Sequence, residues 1–290
     1  IHCMAYPETI KGEGPILETV KRIAADDYFT AIEVTQIKDD KVRQEVKKVL
    51  ETANMSVAFS AQSMLLTRGL NINDLDEEGR KKAVDILKIG VDQAYELGAK
   101  GFAFLSGNYQ EETKEESYQA LIKSTKEICE YAKSKGDMPV ILEVFDYDID
   151  KKSLIGPVDL AKRYVEEIKS EYPNFGLMVD LSHIPMLRET VEESILPIKE
   201  HIVHAHMGNC VIKDASLPGY GDLHPRFGFP GGENDVDELE EFLRVLVDIG
   251  FISQEKRPIV SFEVKPFEDE DPELVIANAK RALNLAWARL

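Results

Sequence analysis

Short apolar, β-branched runs alternate with longer charged, amphipathic segments along this chain, and the alternation leaves few folds open. Parallel strands need a crossover between them, and a helix supplies it. Strands are predicted at Ile1–Ala5, Ala31–Thr35, Ser56–Ser60, Gly101–Leu105, Pro139–Phe145, Gly176–Leu181, His201–His206 and Pro258–Val264. Helices are predicted near 15–26, 40–53, 77–98, 114–135, 157–170, 187–198, 235–250 and 271–289. Eight β–α pairs predict an α/β fold, a single closed (β/α)8 barrel over residues 1–290. Asp74 is the expected cap of the helix carrying Val84, Leu87 and Val91, and Pro157 suits the first turn of its helix. No Ser/Gly-rich linker divides the chain. Only residues 207–234, rich in Gly and Pro, break the short-connection pattern, and long loops in compact domains are often functional.

The chain carries 35 Lys and Arg against 53 Asp and Glu, a formal charge of −18. That balance opposes polyanions, so no nucleic acid partner is expected. Cys3, Cys129 and Cys210 lie far apart without C-x-x-C spacing, which predicts reduced thiols and a cytoplasmic setting. The chain has neither a basic segment leading into an apolar one at its start nor a run near the ~18 apolar residues of a membrane span. No membrane association is expected. Phosphate-loop, dinucleotide-binding and nucleophile-elbow motifs are missing, which argues against ATP, nicotinamide and serine-hydrolase chemistry.

In a barrel of this kind the chemistry gathers at the carboxyl ends of the strands. Four predicted strands end in metal-ligand residues: Ile141-Leu142-Glu143-Val144, Met178-Val179-Asp180-Leu181-Ser182-His183, His204-Ala205-His206 and Ser261-Phe262-Glu263-Val264. With a side-chain period of two, Ile141 shares a face with Glu143, His204 with His206, and Ser261 with Glu263. A carboxylate at the end of an apolar run is costly to bury unless it is paired, protonated or bound to metal. Glu143, Asp180, His206 and Glu263 are therefore expected to converge on one divalent cation, with Mn, Mg, Co and Zn all suited to an oxygen-rich set with one nitrogen. His204, one layer below His206, is expected to orient it.

These motifs, with Asp180-x-x-His183 and His204-x-His206, resemble the xylose isomerase-like TIM barrel superfamily of sugar isomerases and epimerases. The resemblance implies that Glu143, Asp180, His206 and Glu263 hold one metal, that Glu143 and Glu263 are the catalytic residues, and that His183 contacts the sugar. The implied reaction moves a proton next to a carbonyl through an enediolate. A small carbohydrate-like substrate and a homo-oligomer are the expected partners. The same superfamily includes the endonuclease IV type of metallohydrolase, whose third-metal set is matched by His183 with Asp222-x-His224. Its two early-strand histidines have no counterpart here, since those strands lead into Ser60-Ala61-Gln62 and Leu105-Ser106-Gly107-Asn108. Asp222 and His224 are accordingly read as substrate contacts, with a second metal at His183, Asp222 and His224 as the alternative. Arg226, in a loop of aromatics and glycines, and Lys265, in step with Glu263, are candidate receptors for a carboxylate or phosphate of the substrate. A barrel that binds metal or sugar without turnover is the remaining alternative.

Overall fold

The computed structural model describes residues 1–290. Seven parallel strands form one sheet in the order of the chain: β1 (Ala31–Val34), β2 (Ser56–Ser60), β3 (Phe102–Leu105), β4 (Val140–Glu143), β5 (Phe175–Asp180), β6 (Ile202–Gly208) and β7 (Val260–Glu263). Around them lie α1 (His2–Ala5), α2 (Ile16–Ala25), α3 (Asp40–Thr52), α4 (Gln62–Leu66), α5 (Glu77–Glu96), α6 (Lys114–Lys133), α7 (Val158–Lys169), α8 (His183–Leu187), α9 (Val191–Ile195), α10 (Val236–Asp248) and α11 (Pro272–Trp287). The main apolar core fills the layer between sheet and helices, where Phe59 and Phe102 stack beneath α5. Inside the barrel Ala103, Ile141 and Met178 make a separate small cluster. Glu143 and Asp180 stand two residues further along the same faces, so side-chain alternation carries both into the barrel mouth.

The barrel has seven strands, not eight, and is nearly closed. Residues 1–5, predicted as a strand, instead contain α1. Its N–H groups are satisfied locally, from Ala5 to the Ile1 carbonyl at 3.2 Å and from Tyr6 to the His2 carbonyl at 3.0 Å. A run this short reads equally well in either period, and a helix needs no neighbour to pair its backbone. No ladder joins β7 to β1, and a cavity of about 770 Å³ lies between them, bordered by Ile1, His2, Ile32, Glu33 and Phe262. The single helix predicted at 187–198 is also broken. Arg188 ends α8 in the left-handed region at φ 60°, and a Thr190–Glu193 capping box opens α9. The cap of α5 is Asp76, which accepts from the Gly79 N–H at 3.0 Å; Asp74 holds the turn before it, accepting from the Asp76 N–H at 2.9 Å.

Candidate active site

Glu143, Asp180 and Glu263 are the last residues of β4, β5 and β7, and His206 lies in β6 beside Asp180 in the ladder. All four are buried, and they offer one ligand atom each within 4.8 Å of one another. His206 Nδ1 is the hub, 3.1 Å from Glu143 Oε1, 2.7 Å from Glu263 Oε2 and 3.9 Å from Asp180 Oδ2. Asp180 Oδ1 accepts from the Ser182 N–H at 2.7 Å, whereas Asp180 Oδ2 is buried without a hydrogen-bond partner and Glu263 Oε2 meets only the His206 imidazole. Buried charged oxygens of this kind are seldom left unmatched. Three carboxylates and an imidazole converging around an orphaned oxygen fit a divalent cation.

The electrostatics are those of carboxylates crowded out of water. Burial, aided by the nearby Glu263, raises the Asp180 pKa despite the opposing pull of His183, His224 and His206. Burial also pushes Glu263 upward, but there His224 and His206 prevail and hold it below the ordinary carboxylate range. Burial disfavours the His206 cation, yet Glu33, Glu143 and Glu263 together raise its pKa well above the usual value. A metal ion among the carboxylates would compete with that proton for Nδ1.

The second group is built by α8 and the long loop. Following Ser182, His183 donates from Nδ1 to the Val144 carbonyl at 2.8 Å, packs on Phe145 and turns Nε2 to Asp222 Oδ1 at 3.1 Å. His224 Nε2 reaches the same oxygen at 2.9 Å and Glu263 Oε1 at 3.4 Å. His224 adopts φ 53°, a left-handed conformation uncommon without glycine, and its carbonyl accepts from the Lys265 N–H at 2.7 Å. Asn209 and Asn234 staple the loop. Asn209 donates to the Arg226 carbonyl, and Asn234 bridges the Leu181 and Gly208 carbonyls. Asp222, His183 and His224 are thereby buried together. Burial opposes ionisation of Asp222, but His224, Lys151 and His183 hold its pKa well below the carboxylate range. Burial likewise opposes the His224 cation, but Asp222 and Glu263 bring its pKa to about 9.

Three contributors were not foreseen in full. Glu33, at the interior of β1, accepts on Oε2 from His206 Nε2 at 3.0 Å, His204 Nε2 at 3.1 Å and Ser261 Oγ at 2.9 Å. The signal was present, an acid inside the apolar run Ala31-Ile32-Glu33-Val34. His204 thus shares one Glu33 oxygen with His206. Gln62 donates from Nε2 to Glu143 Oε2, and its Oε1 accepts from Ser60 Oγ at 2.8 Å. Lys151, in the loop after β4, lies 3.1 Å from Asp222 Oδ2. Of the two candidate anion receptors, Arg226 is engaged elsewhere. Arg226 pairs with Glu270 at 2.8 Å, and the Lys265 ammonium lies over the Phe267 ring. Cys210 is buried, and burial raises its pKa, which suits a bystander.

A family model described as xylose isomerase-like TIM barrel matches residues 22–284. Among solved structures, a D-psicose 3-epimerase from Clostridium cellulolyticum H10, determined with D-tagatose, is similar with a TM-score of 0.70 at 16% identity. The match covers 95% of this chain and 94% of that one. A 3-keto-D-glucoside 4-epimerase from E. coli is similar with a TM-score of 0.68 at 15% identity, covering 95% of each chain. An AP endonuclease of family 2 from Brucella melitensis gives 0.65 at 16% identity, over 91% of this chain and 92% of that one. None of the curated proteins matches the sequence. At such identities these likenesses establish the fold.

Proposed function

The chain belongs to the xylose isomerase-like TIM barrel family, and from that premise we propose that it is a divalent-metal-dependent epimerase or isomerase of small sugars. The observation that carries the reading is the pair of glutamates, Glu143 and Glu263, set on two sides of His206 Nδ1 with Asp180 completing the group. Glu143, Asp180, His206 and Glu263 would hold the ion, which when bound polarises a carbonyl and acidifies the neighbouring C–H.

The remaining roles follow from the protein's own groups. Gln62 donates to Glu143 Oε2 and is itself fixed by Ser60, so this oxygen is held as an acceptor. Glu263, kept ionised by the neighbouring imidazoles, serves as the second proton carrier. Removal of a proton by one glutamate and its return by the other inverts a carbon next to the carbonyl, whereas return to the neighbouring carbon interconverts aldose and ketose. The structural neighbours favour inversion: both named epimerases act on a carbon beside a ketone. His183, with Nδ1 committed to Val144 and Nε2 facing Asp222 Oδ1, would meet the sugar together with Asp222 and His224, which line the same wall. A small keto sugar is the fitting substrate, with Arg226 paired to Glu270. Three buried thiols suit a reducing compartment such as the cytoplasm.

The metallohydrolase reading rests on the His183–Asp222–His224 group and the endonuclease neighbour. It is the weaker one, since Gln62 and Asn108 stand near the ends of β2 and β3 where imidazoles would be needed. The deciding experiment follows deuterium from D₂O into a panel of ketoses and 3-keto sugars, with bound metal counted on the same samples. Metal at the Glu143 group, with C–H exchange reduced at least about a hundredfold in Glu263→Gln, is expected. Full exchange in Glu263→Gln overturns the two-glutamate mechanism. Phosphodiester cleavage without C–H exchange turns the assignment to the hydrolase.

A further inference from the structure

The His183–Asp222–His224 group has the donors of a second metal site. Its ligand atoms lie 2.9–3.1 Å from Asp222 Oδ1, and the orphaned Asp180 Oδ2 stands 3.9 Å from His183 Nε2 and 4.0 Å from His224 Nδ1. Asp180 Oδ2 is also 3.9 Å from His206 Nδ1, so it faces both groups. With Nδ1 of His183 donating to a carbonyl, its Nε2 confronts a carboxylate oxygen and needs either a proton or a cation between them.

The other oxygen of Asp222 already faces a cation. The Lys151 ammonium reaches Asp222 Oδ2 at 3.1 Å, the Asp222 carbonyl at 3.2 Å and Asp150 Oδ2 at 2.8 Å, which uses all three of its donors. Its side chain is only 20% exposed. The loop that carries it is rigidly made: Asp146, fully buried, accepts from the N–H groups of Ile149, Asp150 and Lys151 at 2.8 Å each. Asp150 Oδ2 in turn accepts from the Asp222 N–H at 3.0 Å, tying the ammonium to the loop that supplies Asp222 and His224.

We infer that Lys151 is a built-in cation standing in for a second metal ion, and that it keeps the centre mononuclear. A divalent ion at His183, Asp222 and His224 would share its carboxylate with an ammonium bonded to the same group, and the two positive charges repel across a buried space. Removing the ammonium leaves Asp222 Oδ2 without its cation, beside Asp180, His183 and His224, whose donor atoms lie within 4.8 Å of one another, a set suited to zinc. The inference shares Asp180 with the proposed metal site and His183, Asp222 and His224 with the proposed sugar wall, and adds Lys151 and the loop that holds it.

The test counts zinc per chain by elemental analysis after gel filtration, in the parent protein, in Lys151→Met and in Lys151→Arg. Each is measured alone and combined with Glu143→Gln, which weakens the first site. One additional zinc in Lys151→Met over its own background is expected in both series. Lys151→Arg should show no gain, and adding Asp222→Asn to Lys151→Met should remove the gain. If Lys151→Met does not fold, Lys151→Gln, which keeps a hydrogen bond for Asp222, takes its place. A parent that binds zinc at both groups, an unchanged count on loss of the ammonium, or a gain that survives Asp222→Asn overturns the inference. A metal-free parent whose Lys151→Met form binds one zinc supports it while removing the proposed catalytic metal. One zinc in both parent and Lys151→Met leaves the catalytic reading standing and removes this one.

Discussion

At the scale of residues, a buried carboxylate must find partners, and Glu33 finds two imidazoles and a hydroxyl. Burial pushes its pKa up, but His206 and His204 overcome this and hold it well below the carboxylate range. Glu33 therefore receives the His206 Nε2–H and leaves Nδ1 turned toward Glu143 and Glu263. Replacing Glu33 by Gln should weaken metal binding about 10–100-fold by titration calorimetry, the usual effect of losing such an orienting partner. His2 allows a pH prediction. Burial lowers its pKa to about 3, while Nε2 meets Thr19 Oγ1 at 2.7 Å. The unfolded chain binds this proton below about pH 6.5 and the folded one only near 3. Stability from His2 is thus present above pH 6.5 and falls as pH drops toward 3, by at most about 1.4 kcal/mol per pH unit. Denaturant melts of His2→Gln over this range should show a shallower decline than the parent. Glu143, Asp180, His206 and Glu263 were legible because each ends an apolar run. Lys151 was not, since a lysine among charged loop residues carries no local mark of burial.

At the scale of elements, helices with a repeating apolar face were readable, and short ones were not. The predicted span of 77–98 differs from α5 by two residues at its C-terminal end, and Gly98 follows at φ 70°. Its interior Gly90 has a packing reason, since a Cβ there would lie 3.0 Å from Met64 Sδ and 3.0 Å from the Phe102 ring. The cap was misplaced by two residues because Asp74 and Asp76 are chemically alike, and only the backbone path decides which one meets a free N–H. Asp76→Ala should cost about 1 kcal/mol in urea unfolding, as loss of an N-cap does. An unchanged midpoint would show that the Asp74 turn alone starts the helix. α1 and the break between α8 and α9 escaped prediction because four or five residues do not establish a period, and the Arg188 turn follows from the conformation of the chain around it.

At the scale of the whole molecule, the barrel gathers acids from β1, β4, β5 and β7 at one end, and a bound ion relieves their mutual repulsion. Stripping metal with a chelator should therefore destabilise the fold. At free metal about a hundredfold above Kd the ligand contributes about 2.7 kcal/mol, roughly 5 °C in calorimetric Tm for a chain of this size. An identical Tm with and without chelator would mean that the acids are satisfied by protons alone. The sequence alone determined the strand–helix alternation, the long loop and the strand-end acids, because strand and helix periods are written within a few residues. Tertiary structure decided what those acids meet: Glu33 with histidines 171 and 173 positions away, Lys151 with Asp222, and the first residues turning into a helix beside an open seam. The partner of a buried charge is chosen by which distant segments pack side by side, and no local pattern encodes that choice.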